Sequence, residues 1–313
     1  MGGTVKLRKN VPKDISGLGS SIWHSSAEGL LGRLPKDPLF DLVVTSPPYN
    51  IGKPYERKKE IDEYIDFHAG IIRACVERLS ETGSLCIQVG NYVRDGEILP
   101  LDYLFFPIIQ SMGLKLRNRI IWHYGHGLHQ KRRFSGRYEV VLWFTKSDEY
   151  TFDLDAVRIP PKYPGKRSYR GPRAGQLSSN PLGKNPEDSW KVPDSSNDYW
   201  EIPNVKAGHV EKTGHPCQFP VGLIERLVLA LTRSGERIFD PFAGTGSAGV
   251  AALLHAREFW GCDIDEAYAM TAVERLNRTL AGEERFRSHA KPIYDHRKSK
   301  LSVVPAEYAP AAE

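Results

Sequence analysis

A buried strand that runs straight into two prolines is the feature that most constrains this chain. Asp41-Leu42-Val43-Val44-Thr45 is a short apolar, β-branched run opened by an acid, the composition of an interior strand. Ser46-Pro47-Pro48-Tyr49-Asn50 follows at once. Each proline fixes φ and removes an amide donor, so the strand cannot continue. The carbonyls of Ser46 and Pro47 are then left without local competitors. The expected product is a rigid ledge at the strand's carboxyl end: a hydroxyl, unpaired carbonyl oxygens and an aromatic face. Such a ledge suits a flat ring that bears an amino group, with acceptors for the amine and Tyr49 for the ring face. From this stretch alone, a Pro-Pro turn with a core tyrosine is the plainer alternative.

The rest of the chain alternates strand and helix signals. Strands are expected at 21–24, 39–45, 84–89, 116–124, 140–144, 236–240 and 259–263. Helices are expected at 27–31, 60–79 with Gly83 marking the end, 101–111 with a kink at Pro107, 221–231, 244–256 and 266–280. That alternation predicts an α/β sheet covered by helices on both faces. Residues 1–20 read as a peripheral lead-in, and 52–59 as a polar loop. Between Thr151 and Gly214 the pattern dissolves into recurrent prolines and glycines, yet Trp190, Tyr199, Trp200 and Ile202 are too apolar for a linker. This stretch is expected to be an irregular subdomain inserted into the α/β frame.

With 313 residues and 40% hydrophobic content the chain can bury a sizeable core. No run approaches the roughly 18–20 apolar residues of a membrane span, and Met1 to Lys13 has no apolar secretory core. Cys75, Cys86, Cys217 and Cys262 are widely spaced, so neither a disulfide framework nor a zinc site is expected, and a reducing, cytoplasmic setting fits. The net charge of +5 is modest, but it is unevenly placed. Lys131, Arg132, Arg133 and Arg137 form one basic cluster; Arg158, Lys162, Lys166, Arg167, Arg170 and Arg173 form another, interleaved with Tyr163 and Tyr169. Basic clusters with aromatics suit a polyanion. His123, His126 and His129 lie in a glycine-rich loop without cysteines and are read as phosphate contacts or plain surface rather than a metal cluster. Glu139 and Trp143 are read as structural.

A second motif, Phe239-Asp240-Pro241-Phe242-Ala243-Gly244-Thr245-Gly246-Ser247, sits at a strand-to-helix junction. Its glycines let the backbone approach a ligand, and the helix behind presents free amides. The next strand ends in Gly261-Cys262-Asp263, where a carboxylate can hold ribose hydroxyls. Gly244, Gly246 and Gly249 match a dinucleotide fingerprint as a bare string. The preceding Asp240 opposes that reading, because a carboxylate there repels a pyrophosphate and suits a cationic amino-acid moiety.

Together the two motifs make the chain similar to the amino-methylating DNA methyltransferases, which modify adenine N6 or cytosine N4 in bacterial restriction–modification or epigenetic systems. Ser46-Pro47-Pro48-Tyr49 matches their catalytic pattern (Asp/Asn/Ser)-Pro-Pro-(Tyr/Phe/Trp), and Asp240 to Gly246 their cofactor pattern Asp-Pro-Phe-x-Gly-x-Gly. The order, catalytic motif first, resembles the permuted β group. The resemblance implies a Rossmann-like S-adenosylmethionine-dependent methyltransferase sheet in permuted order, with an irregular inserted target-recognition region. It implies a catalytic half at 20–150, a target-recognition insertion at 151–212, a cofactor-binding half at 213–282 and a tail at 283–313. Asp240, Pro241, Phe242, Gly244, Gly246 and Asp263 are implied cofactor residues, joined by Gln218 and Phe219 of the His215-Pro216-Cys217-Gln218-Phe219-Pro220 segment. Arg132, Arg133, Arg137, Lys166, Arg167 and Arg170 are implied contacts to double-stranded DNA. A target base flipped out of the duplex and stacked on Tyr49 completes the implied mechanism. Dimerisation is common among β-group relatives and is a further expectation, as is a place at the bacterial nucleoid.

The target base is expected to be adenine, on the likeness of Asn50-Ile51-Gly52 to adenine-specific members. Cytosine N4 is the alternative, because Ser at the first motif position is common among N4 enzymes. Pro216-Cys217-Gln218 matches the nucleophile motif of cytosine-C5 enzymes, but it precedes the cofactor motif and no Glu-Asn-Val partner occurs. Protein glutamine methyltransferases carry their Pro-Pro-Tyr ledge after the cofactor motif and lack a basic insertion. A non-catalytic DNA-binding protein on the same fold and a nicotinamide oxidoreductase complete the alternatives; intact motifs oppose the first and Asp240-Pro241 the second.

Overall fold

Leu42, Val43 and Val44 are buried in the middle of a nine-stranded sheet. In the computed structural model the described residues are 4–50, 59–124, 127, 129–161, 163–190 and 202–287. The strands are β1 (Lys6–Arg8), β2 (Ser21–His24), β3 (Phe40–Thr45), β4 (Leu79–Val89), β5 (Asn91–Arg94), β6 (Glu97–Pro100), β7 (Lys115–His123), β8 (Tyr138–Thr145), β9 (Ser189–Trp190), β10 (Arg237–Asp240) and β11 (Glu258–Asp263). The helices are α1 (Ala27–Leu31), α2 (Ile61–Val76), α3 (Leu101–Ser111), α4 (Val221–Leu231), α5 (Ser247–Leu254) and α6 (Glu266–Leu280).

The sheet order is β1-β2-β11-β10-β3-β4-β8-β7-β9. Neighbours pair in parallel except β8, which runs antiparallel to β4 and β7. Residues of α1, α2 and α3 pack in one core cluster and those of α4, α5 and α6 in another, so both faces are covered. Strands buried on both faces need continuous apolar runs, which explains why β3 and β4 show little alternation. From β3 the chain crosses to β4 on one side, and from β10 it crosses to β11 on the other. The gap between β3 and β10 is therefore a topological switch point, where loops at the strand ends diverge and leave a crevice.

Several boundaries differ from expectation. Residues 4–20 are not merely peripheral: β1 extends the sheet beside β2, and the Val5 amide donates to Asn277 Oδ1 at 2.9 Å. Helix α2 stops at Val76 rather than Leu79 because Arg78 turns the chain; its guanidinium donates to the carbonyls of Ala74, Leu31 and Leu34. Gly83 lies inside β4, not at a helix end, where a Cβ would come within 3.0 Å of the Asp41 carbonyl. Helix α5 begins at Ser247 rather than Gly244. The hairpin β5–β6 is absent from the expectations, although Asp95-Gly96 carries its signal. Both residues adopt positive φ, 52° and 86°, as a tight hairpin turn requires.

The irregular stretch after Thr151 is fastened to the frame. It supplies a 3₁₀ turn at Asp155–Val157 and the edge strand β9. Trp122 Nε1 donates to the Ile202 carbonyl at 2.8 Å, and the Arg226 guanidinium lies 4.7 Å over the Trp190 ring. Tyr199 and Trp200, the 52–58 part of the polar loop, His126, Lys162 and the tail from 288 lie outside the described residues. Among the described residues, no helix is long and apolar enough to cross a membrane.

Candidate active site

The two motifs meet because their strands are neighbours. Ile238 of β10 pairs with Leu42 of β3, and Phe239 with Val43. At the carboxyl ends the Thr45 hydroxyl donates to Asp240 Oδ1 at 2.6 Å, a buried bond between residues 195 apart in sequence. Beyond these two residues both chains turn outward around one cavity of about 570 Å³. Ser46, Pro47, Pro48 and Tyr49 line one side; Pro241, Phe242, Ala243 and Gly244 line the other. The volume lies within the range of small-molecule sites.

On the β10 side, Gly244 adopts φ 51° and its amide donates to Asp263 Oδ2 at 2.9 Å. Asp263 Oδ1 accepts the Asp265 amide at 2.8 Å. Each oxygen keeps lone-pair capacity toward the cavity, and burial raises this carboxyl above its ordinary value. Phe219, Phe242, Ile264 and Tyr268 supply apolar wall. His215 packs edge-on to Tyr268 at 4.7 Å, and burial lowers its imidazole to about 4, so it is neutral at pH 7. Lys59 is the one lysine of the described lining, which holds no arginine. That charge pattern does not suit a pyrophosphate.

On the β3 side the ledge is tied to a carboxylate. The Ser46 hydroxyl donates to Tyr49 Oη at 3.2 Å, and Tyr49 Oη donates to Glu139 Oε2 at 3.3 Å. Gln88 Nε2 donates to the same Oε2, and Tyr124 Oη to Oε1 at 3.5 Å. Burial pushes the Glu139 carboxyl up to about 7, against the pull of these three donors. Tyr64 Oη donates to the Pro48 carbonyl at 2.7 Å, which fixes the second proline. The Asn50 side chain is taken up by Lys59: its amide donates to the Lys59 carbonyl and its oxygen accepts the Lys59 amide, both at 2.7 Å.

The DNA methylase family model matches residues 40–274, a span that takes in both motifs and every strand between them. The chain belongs to the DNA methylase family. It is 42% identical over 259 residues to the Type II methyltransferase M.BglII of Bacillus subtilis, covering 82% of this chain and 69% of that protein. Among solved structures, the PvuII DNA methyltransferase (cytosine-N4-specific) aligns with a TM-score of 0.62 and 20% identity, covering 85% of this chain and 94% of that one. A Thermus thermophilus protein described as a DNA modification methylase, complexed with S-adenosyl-L-methionine, aligns with a TM-score of 0.58 and 25% identity, covering 84% and 97%. The methylase is thus a site-specific, S-adenosylmethionine-dependent DNA methyltransferase of the adenine-N6/cytosine-N4 family.

The donor set of the methylase cavity fits that cofactor. Asp263 offers acceptors to a diol, the apolar wall suits an adenine, and the scarcity of cationic side chains suits a sulfonium. Asp240 Oδ2 is buried without a hydrogen-bond partner among the described residues, the kind of orphan an ammonium group, or water between them, would satisfy.

Not every expected cofactor residue reaches the cavity. Asp240 is fully buried beneath the floor and is not part of the cavity lining. Gly246 stands behind the wall: with φ 78° it starts α5, and a Cβ there would sit 3.0 Å from Ala272 Cβ and Leu276 Cδ1. Gly249 serves packing too, since a Cβ would lie 2.6 Å from the Phe259 ring. Gln218 lines the cavity, but its amide is engaged by the Thr213 amide and hydroxyl and by the Glu211 carbonyl. Arg132, Arg133 and Arg137 lie between β7 and β8, and Lys166, Arg167 and Arg170 in the irregular stretch; none lines the cavity. Glu139, read as structural from sequence, is on the cavity wall with Gln88, Tyr124 and Lys59. Trp143 is structural, donating to Ser84 Oγ at 2.9 Å.

Burial raises the Asp240 carboxyl from 3.8 to about 7, partly offset by the Thr45 hydroxyl and the Phe242 amide. The folded chain therefore holds this proton more tightly than the unfolded chain. The associated stability is present at low pH and is lost as pH climbs from about 4 to about 7. Asp240→Asn cannot ionise. It is expected to flatten this part of the pH dependence of the urea midpoint, and an unchanged dependence would contradict the assignment.

Proposed function

We propose that this methylase moves a methyl group to N4 of a cytosine flipped out of double-stranded DNA. The observation that carries the reading is the single cavity shared by the Ser46-Pro47-Pro48-Tyr49 ledge and the Gly244–Asp263 pair. S-adenosylmethionine supplies an electrophilic methyl group on its sulfonium. The protein's part is positioning. An exocyclic amine is conjugated with its ring and is a poor nucleophile. Ser46 Oγ and the Pro47 carbonyl would accept its two protons and draw the nitrogen lone pair out of conjugation, with Tyr49 stacked on the ring. Asp263 would hold the ribose hydroxyls, with Phe219 and Phe242 against the adenine.

Cytosine is favoured over adenine because the feature that pointed to adenine has another job. Both ends of the Asn50 amide bond the Lys59 backbone and close the loop between them. Ser46, the residue type common among N4 enzymes, is left as the discriminating position. Digestion of DNA modified with labelled donor tests this: N4-methylcytosine is the expected nucleoside, and N6-methyladenine alone would overturn the choice of base.

The region 151–212 is the proposed reader of the target sequence, and bacterial DNA in the cytoplasm the proposed setting. Arg132 and Arg133 are exposed and immediately precede Phe134, which is fully exposed at 100%. We assign this loop to the DNA backbone. Replacing both arginines by alanine is expected to lower the slope of log affinity against log salt by about 2, since each phosphate contact contributes about 0.9. An unchanged slope would remove the loop from the interface.

A further inference from the structure

We propose that Ser46, Tyr49 and Glu139 form a relay that carries the proton lost by the methylated base amine to the Glu139 carboxylate. The proposal rests on the reading that the amine meets Ser46. Its basis is a continuous chain of hydrogen bonds, Ser46 Oγ to Tyr49 Oη at 3.2 Å and Tyr49 Oη to Glu139 Oε2 at 3.3 Å. The polarity of that chain is fixed by chemistry. An ionised carboxylate only accepts, so the Tyr49 hydroxyl points at Glu139 and must accept from Ser46. Ser46 Oγ then keeps a lone pair facing the cavity, where the amine would donate.

The carboxylate is built into the wall. Gln88 and Tyr124 donate to it from β4 and from the end of β7, and no Lys or Arg pairs with it among the described residues. Three neutral donors hold it in place without neutralising it. Burial brings it to about 7, which matches a proton acceptor working near neutral pH. Apo separations of this length are expected to shorten when a substrate is bound.

The step balances. Methylation leaves the exocyclic nitrogen positively charged. Its N–H bond breaks and the electron pair stays on nitrogen, which becomes neutral. Ser46 Oγ takes that proton and passes its own to Tyr49 Oη, which passes its own to Glu139 Oε2. Ser46 and Tyr49 end as they began; one N–H bond is lost and one Glu139 O–H bond is formed. Water recovers the proton when the site opens. The family pattern also admits Phe or Trp where Tyr49 stands, and neither carries a hydroxyl, so the relay is an inference about this chain.

Single-turnover methylation of a mapped duplex target tests it, with enzyme saturated in DNA and methyl donor. Tyr49→Phe and Glu139→Gln are each expected to slow transfer about 100-fold. The double variant should be no slower than the slower single, because both residues act on one step. Donor affinity by calorimetry and base extrusion by 2-aminopurine fluorescence should stay within about twofold. A rate within threefold of native for either variant, multiplicative effects in the double, or loss of extrusion or donor affinity would each overturn the relay. If the unaltered enzyme methylates no exocyclic amine, the underlying reading fails instead, and the two failures are distinct.

Discussion

Tyr49→Ala is expected to lower the methyl-transfer rate about 100-fold or more while leaving the affinity for S-adenosylmethionine within about twofold of native. Stacking of a base on an aromatic ring contributes about 1–3 kcal/mol. The alanine variant loses that, and it also removes the hydroxyl that joins Ser46 to Glu139. Among the described residues the Tyr49 hydroxyl bonds Ser46 and Glu139 and no group on the Asp263 side, so donor binding should survive. Single-turnover rates and calorimetric titration with the donor check the two halves of the expectation separately. Full activity in this variant would remove the stacking role.

Asp263→Ala should do the reverse. Its carboxylate holds the Gly244 amide at 2.9 Å and the Asp265 amide at 2.8 Å while facing the cavity. The alanine variant loses the proposed acceptor for the ribose and leaves two backbone amides, one in the β10–α5 turn and one in the β11–α6 turn, without their side-chain partner. An unsatisfied buried polar group costs about 1–3 kcal/mol, so donor affinity is expected to fall about 100-fold. DNA affinity, which is proposed to rest on the basic loops, should change less than about threefold. Calorimetry with the donor and a filter-binding titration with DNA measure both. An unchanged donor affinity would mean that the ribose is held elsewhere.

Both ends of the site were legible in the sequence because local rules produce them. Two prolines end β3 wherever it lies, and positive φ at Gly244 needs only the local turn. That Thr45 and Asp240 would touch was not legible, because it depends on β10 adding beside β3 across 195 residues. The glycine string was legible as a pattern, but its packing role was not: a Cβ at Gly246 would meet α6 and one at Gly249 would meet Phe259, and neither residue lines the cavity. Glu139 was the hardest to read. It is one acid at the start of an apolar strand, and its partners Tyr49, Gln88 and Tyr124 come from three separate segments. No spacing in the chain announces such a cluster. Asn50 shows the opposite case, a residue whose family likeness suggested base choice while its side chain staples a loop.

The decisive measurement is a structure of the protein with a non-reactive donor analogue and a duplex containing its target. The adenosine is expected against Asp263 and Phe219, and a single extrahelical base on Tyr49 with its amine at Ser46 and Pro47. An analogue bound outside the cavity between Pro47 and Gly244, or a target base still stacked in the duplex, would contradict that arrangement.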